Sequence, residues 1–219
     1  VADLAAAVEP DAPVAHIHLD DNVAARINVG YGDIDAAFRD AAHVVTARYS
    51  QHRGTGNPIE CRAVLADFNA VHDSFPIWSA TQAPHGLRRA LVDMLQSAET
   101  DIRVIAPDVG GGFGTKIFVY PEYPLAMVAA EKLGAPVKWI STRSEAFLSD
   151  SQGRDNVTTA EVAMDGAGRF LGLRIDLIAN MGAYLHQFGP FIPRVGTSMS
   201  SGVYDIPVAH VRARGVYTH

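Results

Sequence analysis

A single cysteine, Cys61, stands in 219 residues. One thiol closes no internal disulfide and cannot supply the ligand set of an iron–sulfur cluster or a thiolate zinc site. It favours a reducing compartment, so the cytoplasm is the expected location, with the periplasm as the alternative. Long apolar runs are also missing. The most apolar-leaning stretch, Pro124 to Ala130, is followed at once by Glu131 and Lys132, whereas a membrane-spanning helix needs about 20 such residues. No block of basic residues exists. The 18 Lys and Arg are scattered among 24 Asp and Glu, for a net charge of −6, which disfavours a nucleic-acid surface. The opening Val1-Ala2-Asp3-Leu4-Ala5 has neither a starting Met nor a basic region, so it does not read as a signal peptide. It reads as a cut inside a longer chain, and Val216-Tyr217-Thr218-His219 reads as a strand with no stop signal.

What is present is ordinary globular material, 48% hydrophobic and 19% charged. Residues 1–31 mix Pro, Ala, Asp and Gly with little periodicity and are expected to be a linker from a preceding domain, with one short helix near Leu4–Val8. Asp33 is a cap-like residue before apolar Ile34, Ala37 and Phe38, the pattern of a short helix. Strands are expected at 44–49, 63–68, 75–79, 102–105, 137–140, 157–164, 170–178 and 208–216, from β-branched runs and apolar–polar alternation. The spacing of Leu87, Leu91, Met94 and Leu95 predicts an amphipathic helix over 84–96. A second helix is expected over 121–133, stopped by Gly134 and Pro136. Asp165-Gly166-Ala167-Gly168 suits a hairpin turn, and 182–203 read as irregular. Hairpins with two main packed helices make the expected fold α+β with mixed or antiparallel sheets. Residues 32–219 are expected to be the N-terminal part of one domain.

The most informative stretch is Val109-Gly110-Gly111-Gly112-Phe113-Gly114-Thr115-Lys116. Consecutive glycines permit unusual backbone angles and close approach of a ligand to the main chain. The common nucleotide motifs fail on spacing: Thr115 precedes Lys116, the reverse of a phosphate-binding P-loop. Thr115 also stands where the dinucleotide fingerprint requires a third Gly, or an Ala. Amides in a loop running from a strand toward a helix can still bind an anion. A plain surface loop is the alternative, against which Phe113 argues, because a large apolar side chain among glycines is odd in a solvated linker.

Gly110 to Lys116 resembles the GGGFGxK signature of the xanthine dehydrogenase/aldehyde oxidase family. Other segments agree in order and interval. Trp78 to Pro84 resembles that family's TQxP segment before a helix. Asn57-Pro58-Ile59-Glu60-Cys61-Arg62-Ala63 resembles its PMEPRA stretch, with Cys61 in place of proline. Gly134 to Trp139, Arg143-Ser144-Glu145 and Gly153-Arg154 resemble its GRPVKW…RxE…GR run, and Ile206-Pro207 with Gly215 to Thr218 resemble the strand before its next cofactor loop. The resemblance covers roughly residues 30–219.

The resemblance implies part of a molybdenum-cofactor-binding domain. Gln82 would match a glutamine whose amide donates to an oxo group of the metal centre; taken by itself it reads more readily as a strand-end residue capping the next helix. Gly111, Gly112, Phe113 and Gly114 would match a loop reaching the molybdenum–molybdopterin, and Phe113 would wall a substrate channel. Arg154 and Arg194 would be basic residues near the pocket. Purine-oxidising members carry a substrate-binding glutamate where Ile117 stands, so an aldehyde or a less polar N-heterocycle is the expected substrate, oxidised with water as oxygen source. No direct metal ligand is expected from the chain. The family's general-base glutamate falls beyond His219, and Cys61 is not at the position of the copper-binding cysteine of carbon monoxide dehydrogenases. Implied partners are the remaining C-terminal half of the large subunit and domains or subunits carrying 2Fe-2S clusters and FAD. In a bacterium the cofactor would be the cytosine dinucleotide form. These 219 residues alone are expected to be inactive.

Weaker constellations remain. His16, His18, Asp20 and Asp21 could suggest a metal site, but zinc wants three or four well-placed ligands and a solvated linker is the simpler reading. Ser198, Ser200 and Ser201 with His210 lack the glycine pattern of a nucleophile elbow. Tyr120, Tyr123 and Phe118 read as core or channel wall. The competing class is a split or degenerate module that serves as a non-catalytic binding or assembly subunit.

Overall fold

The computed structural model describes residues 1–218. The chain forms two compact units: Thr55–Gln152 is one, and Val1–Gly54 with the chain from Gly153 onward is the other.

The Thr55–Gln152 unit holds a four-stranded sheet in the order β5-β4-β3-β6. Its strands are β3 (Ala63–Ala66), β4 (Phe75–Ser79), β5 (Ile102–Ile105) and β6 (Val137–Ile140). β3 pairs antiparallel with both β4 and β6, and β5 lies parallel to β4. Two helices pack on it, α2 (Pro84–Leu95) and α3 (Glu122–Leu133). Leu87 and Leu91, one turn apart, point inward from α2 and meet Val64, Ile77, Ile102, Tyr123 and Met127 in one core. Met94 leaves the inward face and is 57% exposed. α3 ends where expected: Gly134 takes a left-handed conformation at φ 60° and donates to the carbonyls of Ala130 and Glu131. α4 (Arg143–Ser149) was not expected, although its signal was present. Thr142 accepts from the Glu145 amide while the Glu145 carboxylate accepts from the Thr142 amide, a complete capping box.

The other unit is built on a five-stranded sheet in the order β1-β9-β8-β7-β2. β1 is Val23–Tyr31, β2 His43–Gly54, β7 Gly153–Met164, β8 Phe170–Gly182 and β9 Ala209–Tyr217. All neighbours are antiparallel except β8 and β9. α1 (Ile34–Arg39) is capped by the Asp33 side chain, which accepts from the Ala36 amide. It sits on β8 at Gly172, where a Cβ would lie 3.0 Å from that of Ala37. α5 (Phe191–Thr197) interrupts the stretch read as irregular.

The linker expectation for residues 1–31 needs correction. The 3-10 turn Ala6–Val8 falls where a helix was placed, but Val23–Tyr31 is a full edge strand paired with β9. Arg26, Asn28 and Gly30 alternate with Ala25, Ile27 and Val29, a period of two diluted by Ala and Gly. β2, β7 and β8 also run longer than their apolar cores suggested, because polar residues of a partly solvated sheet carry the ladder on.

Candidate functional site

The glycine loop connects β5 to α3, and residues 115–121 separate its last glycine from the helix. The loop is therefore held by side chains and not by the helix terminus. Gln82 is the central holder. Its Oε1 accepts from the Gly114 amide at 3.0 Å and the Lys116 amide at 3.3 Å. Its backbone N–H donates to the Lys116 carbonyl at 3.0 Å. The same carbonyl accepts from Thr81 Oγ1 at 3.1 Å. Within the loop, Thr115 donates through both its amide and its hydroxyl to the Gly112 carbonyl, and Tyr120 Oη donates to the Thr115 carbonyl at 2.7 Å.

Glycine is required at 112 for packing. A Cβ there would lie 2.3 Å from Gln82 Oε1. Gly111 and Gly114 are required for conformation, at φ 88° and 91°. Phe113 adopts φ 50° with a full side chain and is 74% exposed. A bulky residue held in the left-handed region is a mark of a site whose geometry is imposed by its surroundings. Gly56 lies behind it, and a Cβ on Gly56 would come within 2.8 Å of the Phe113 Cβ.

The hydrogen-bond pattern leaves a particular remainder. With Oε1 of Gln82 engaged by two backbone donors, its Nε2 amide has no acceptor among the described residues, nor do the backbone amides of Gly112 and Phe113. Donors thus gather at one place on the loop with nothing to donate to. Such a site fits a ligand rich in oxygen or nitrogen acceptors that approaches the main chain closely. A molybdenum–pterin group has that chemistry, so the residues fit it. Gln82, Gly112, Phe113 and Gly114 would hold it.

Behind the loop lies a charged layer to which the sequence reading gave no role. Lys116 is fully buried and its Nζ donates to Glu60 Oε2 at 2.6 Å. Glu60 Oε2 also accepts from the Gly110 amide at 2.9 Å. Burial alone would raise the Glu60 pKa, but the hydrogen bonds from Lys116 and Gly110 outweigh it and hold the carboxyl below its ordinary value. Arg62 is equally buried. Its guanidinium donates to Asp150 at 2.6 Å, to Glu122 at 3.0 Å and to Ser149 Oγ at 2.8 Å, and stacks 3.6 Å from the Tyr120 ring centroid. Burial alone would depress the Arg62 pKa, but its carboxylate partners raise it. Arg143 donates to the carbonyls of Pro58 and Ile59. These contacts pin 57–62, the stretch that resembles PMEPRA. Tyr123 is core, its hydroxyl pushed up to about 12 by burial.

The other expected residues take no part in this hydrogen-bonded set. Ile117 is half-buried just after the loop. Arg194 lies on α5 and Arg154 at the start of β7, both exposed and both in the other unit. Arg154 and Asp155 sit at φ 70° and 62°. His16 is not simply solvated: its ring reaches the Ala183 carbonyl and packs against Tyr184 and Tyr217. Among the described residues no three His, Cys, Asp or Glu side chains converge as a metal site.

Residues 15–219 match the model of the molybdopterin cofactor-binding domain. The large subunit of nicotine 6-hydroxylase from Paenarthrobacter nicotinovorans is 37% identical over 212 residues, covering 94% of this chain and 26% of that protein. The large chain of carbon monoxide dehydrogenase from Afipia carboxidovorans is 34% identical over 227 residues, covering 97% and 28%. The crystal structure of quinoline 2-oxidoreductase from Pseudomonas putida 86 superposes with a TM-score of 0.92 at 32% identity, covering 100% of this chain and 28% of that one. The chain belongs to the molybdopterin cofactor-binding domain family of molybdenum hydroxylases, the xanthine dehydrogenase/aldehyde oxidase group. It spans about a quarter of the length of the relatives it matches. No helix among the described residues is long and apolar enough to cross a membrane.

Proposed function

We propose that this chain is part of the large subunit of a molybdenum hydroxylase that oxidises an aldehyde or N-heterocycle with water as the source of oxygen. One observation carries the reading: backbone amides of Gly114 and Lys116 engage Gln82 Oε1, leaving the Gln82 side-chain nitrogen without an acceptor among the described residues. When bound, the molybdenum cofactor supplies the two-electron redox chemistry. Gln82 Nε2 would help hold it as a hydrogen-bond donor. The Gly112 and Phe113 amides donate to the cofactor, and Gly111 and Gly114 let the main chain come close. Phe113 and Ile117, both in the Thr55–Gln152 unit, would face the substrate, with Phe113 excluding water from one side. The base glutamate and the rest of the pterin cradle belong to further sequence of the same subunit. The cytosine dinucleotide form of the cofactor, partner subunits carrying 2Fe-2S clusters and FAD, and a cytoplasmic location complete the proposal.

Two relatives bear the names of N-heterocycles, nicotine and quinoline. Ile117 supports the same substrate class, since an aliphatic side chain cannot hydrogen-bond a purine. Efficient xanthine turnover by the native gene product would refute that part. The primary test is the molybdenum content of the gene product purified from its native host. About one metal per chain is expected; none would move the reading to a degenerate assembly subunit.

A further inference from the structure

Lys116 reaches two parts of the site with different parts of itself. Its amide and carbonyl are both bonded to Gln82. Its side chain runs the other way, into the interior, and ends on Glu60. Glu60 in turn is bonded twice to Gly110: its carboxylate accepts from the Gly110 amide and its own amide donates to the Gly110 carbonyl. Both ends of the 110–116 loop are therefore gathered on one residue. Packing agrees, since a Cβ on Gly110 would lie 2.6 Å from the Glu60 Cβ.

Burying an ammonium group is unfavourable unless it is paired, and an apolar side chain of similar size often does at least as well for stability. A lysine on a loop can ordinarily extend into water. This one has 0% side-chain exposure. A conformational role is the best-attested reason to keep such a pair.

We infer that the buried Lys116–Glu60 pair is a positioning device that sets the span of the glycine loop and, through the Lys116 backbone, fixes the amide of Gln82. The inference rests on the cofactor reading above. Neither residue touches the cofactor in this account; both act through Gln82.

The test uses the native gene product with its partner subunits. The variants are Lys116→Met, Glu60→Gln, Gln82→Ala and each of the first two combined with Gln82→Ala. Four quantities are read: molybdenum content, kcat/KM per molybdenum, the electron paramagnetic resonance spectrum of the partly reduced metal, and hydrogen exchange of loop peptides spanning Gly114 and Lys116. Lys116→Met is expected to lower kcat/KM ten- to a hundredfold, the usual range for residues that orient a metal site's direct partners. It should alter the resonance spectrum and speed exchange of the loop amides. In the Gln82→Ala background it should add little, because residues acting in one chain are not additive. An equal loss in both backgrounds, or unchanged exchange and spectrum in Lys116→Met, would overturn the inference. Where Lys116→Met does not fold, Glu60→Gln keeps shape and hydrogen-bonding while removing the charge, and the same comparison applies. Absence of molybdenum from the unsubstituted protein would overturn the cofactor reading, and this inference with it.

Discussion

Alanine at position 112 is the sharpest single perturbation of the loop. The new methyl would stand 2.3 Å from Gln82 Oε1, 2.4 Å from Cδ and 2.6 Å from Cγ. Ordinary contact begins near 3.4 Å, so the shortfall is 3.4 − 2.3 = 1.1 Å. The Gln82 side chain must move by about that much, and the bonds it accepts at 3.0 and 3.3 Å are lost. Gly112 is not among the residues with positive φ, so no backbone strain is added. Two hydrogen bonds at about 0.5–1.5 kcal/mol each give a destabilisation of about 1–3 kcal/mol. Thermal unfolding and molybdenum content of the native gene product should both fall. Gly114→Ala provides the contrast: nothing lies within 4 Å of its Cβ, but φ is 91°, so its effect is backbone strain of about 1–3 kcal/mol. In a Gln82→Ala background Gly112→Ala should add little further loss, because the clashing atoms and both bonds are already gone, whereas Gly114→Ala should cost the same in either background. If Gly112→Ala matches the parent in stability and metal content, the packing argument for the loop is wrong.

Other outcomes follow from the layers beneath. Leu91→Ala empties a fully buried site between α2 and the sheet and should destabilise by about 2–5 kcal/mol in denaturant titration. Arg62→Met strands Asp150, whose side chain is 3% exposed, and Glu122, and should destabilise by about 3–5 kcal/mol; an unchanged urea midpoint would mean the guanidinium is dispensable. Because the Glu60 pKa is depressed in the folded state, its contribution is complete above the ordinary carboxylate pKa and is lost as pH falls through the depressed value. The protection factor of the Gly110 amide, its exchange relative to that of an unstructured peptide at the same pH, should therefore fall on acidification in the parent. Glu60→Gln should flatten that dependence.

Much of the architecture was legible. β4, β5 and β6 fall on the expected residues, α2 and α3 agree to within a residue, and Gly134 stops α3 as expected. These elements carry strong local signals: β-branched runs, apolar residues one turn apart, a left-handed glycine cap. β1 was missed because Ala25 and Gly30 dilute its alternation, and its stability comes from pairing with β9, far away in sequence. α5 was missed because Pro193 and Gly196 are poor helix residues whose propensities the fold overrides. α4 was legible and overlooked, since Thr142 and Glu145 spell a capping box.

The residue types of the site were set by the sequence alone. A glycine triplet with an embedded Phe113, a Gln82 upstream and Ile117 in place of an acid all follow from reading the chain. Tertiary structure alone decided which atoms are free to act. Whether Gln82 presents its oxygen or its amide depends on what occupies the oxygen, and the occupants are amides more than thirty residues away. The burial of Lys116 against Glu60 is likewise invisible in sequence, where a Glu and a Lys 56 positions apart read as two surface charges. Long-range packing assigns such partners, and no local pattern of the chain encodes them.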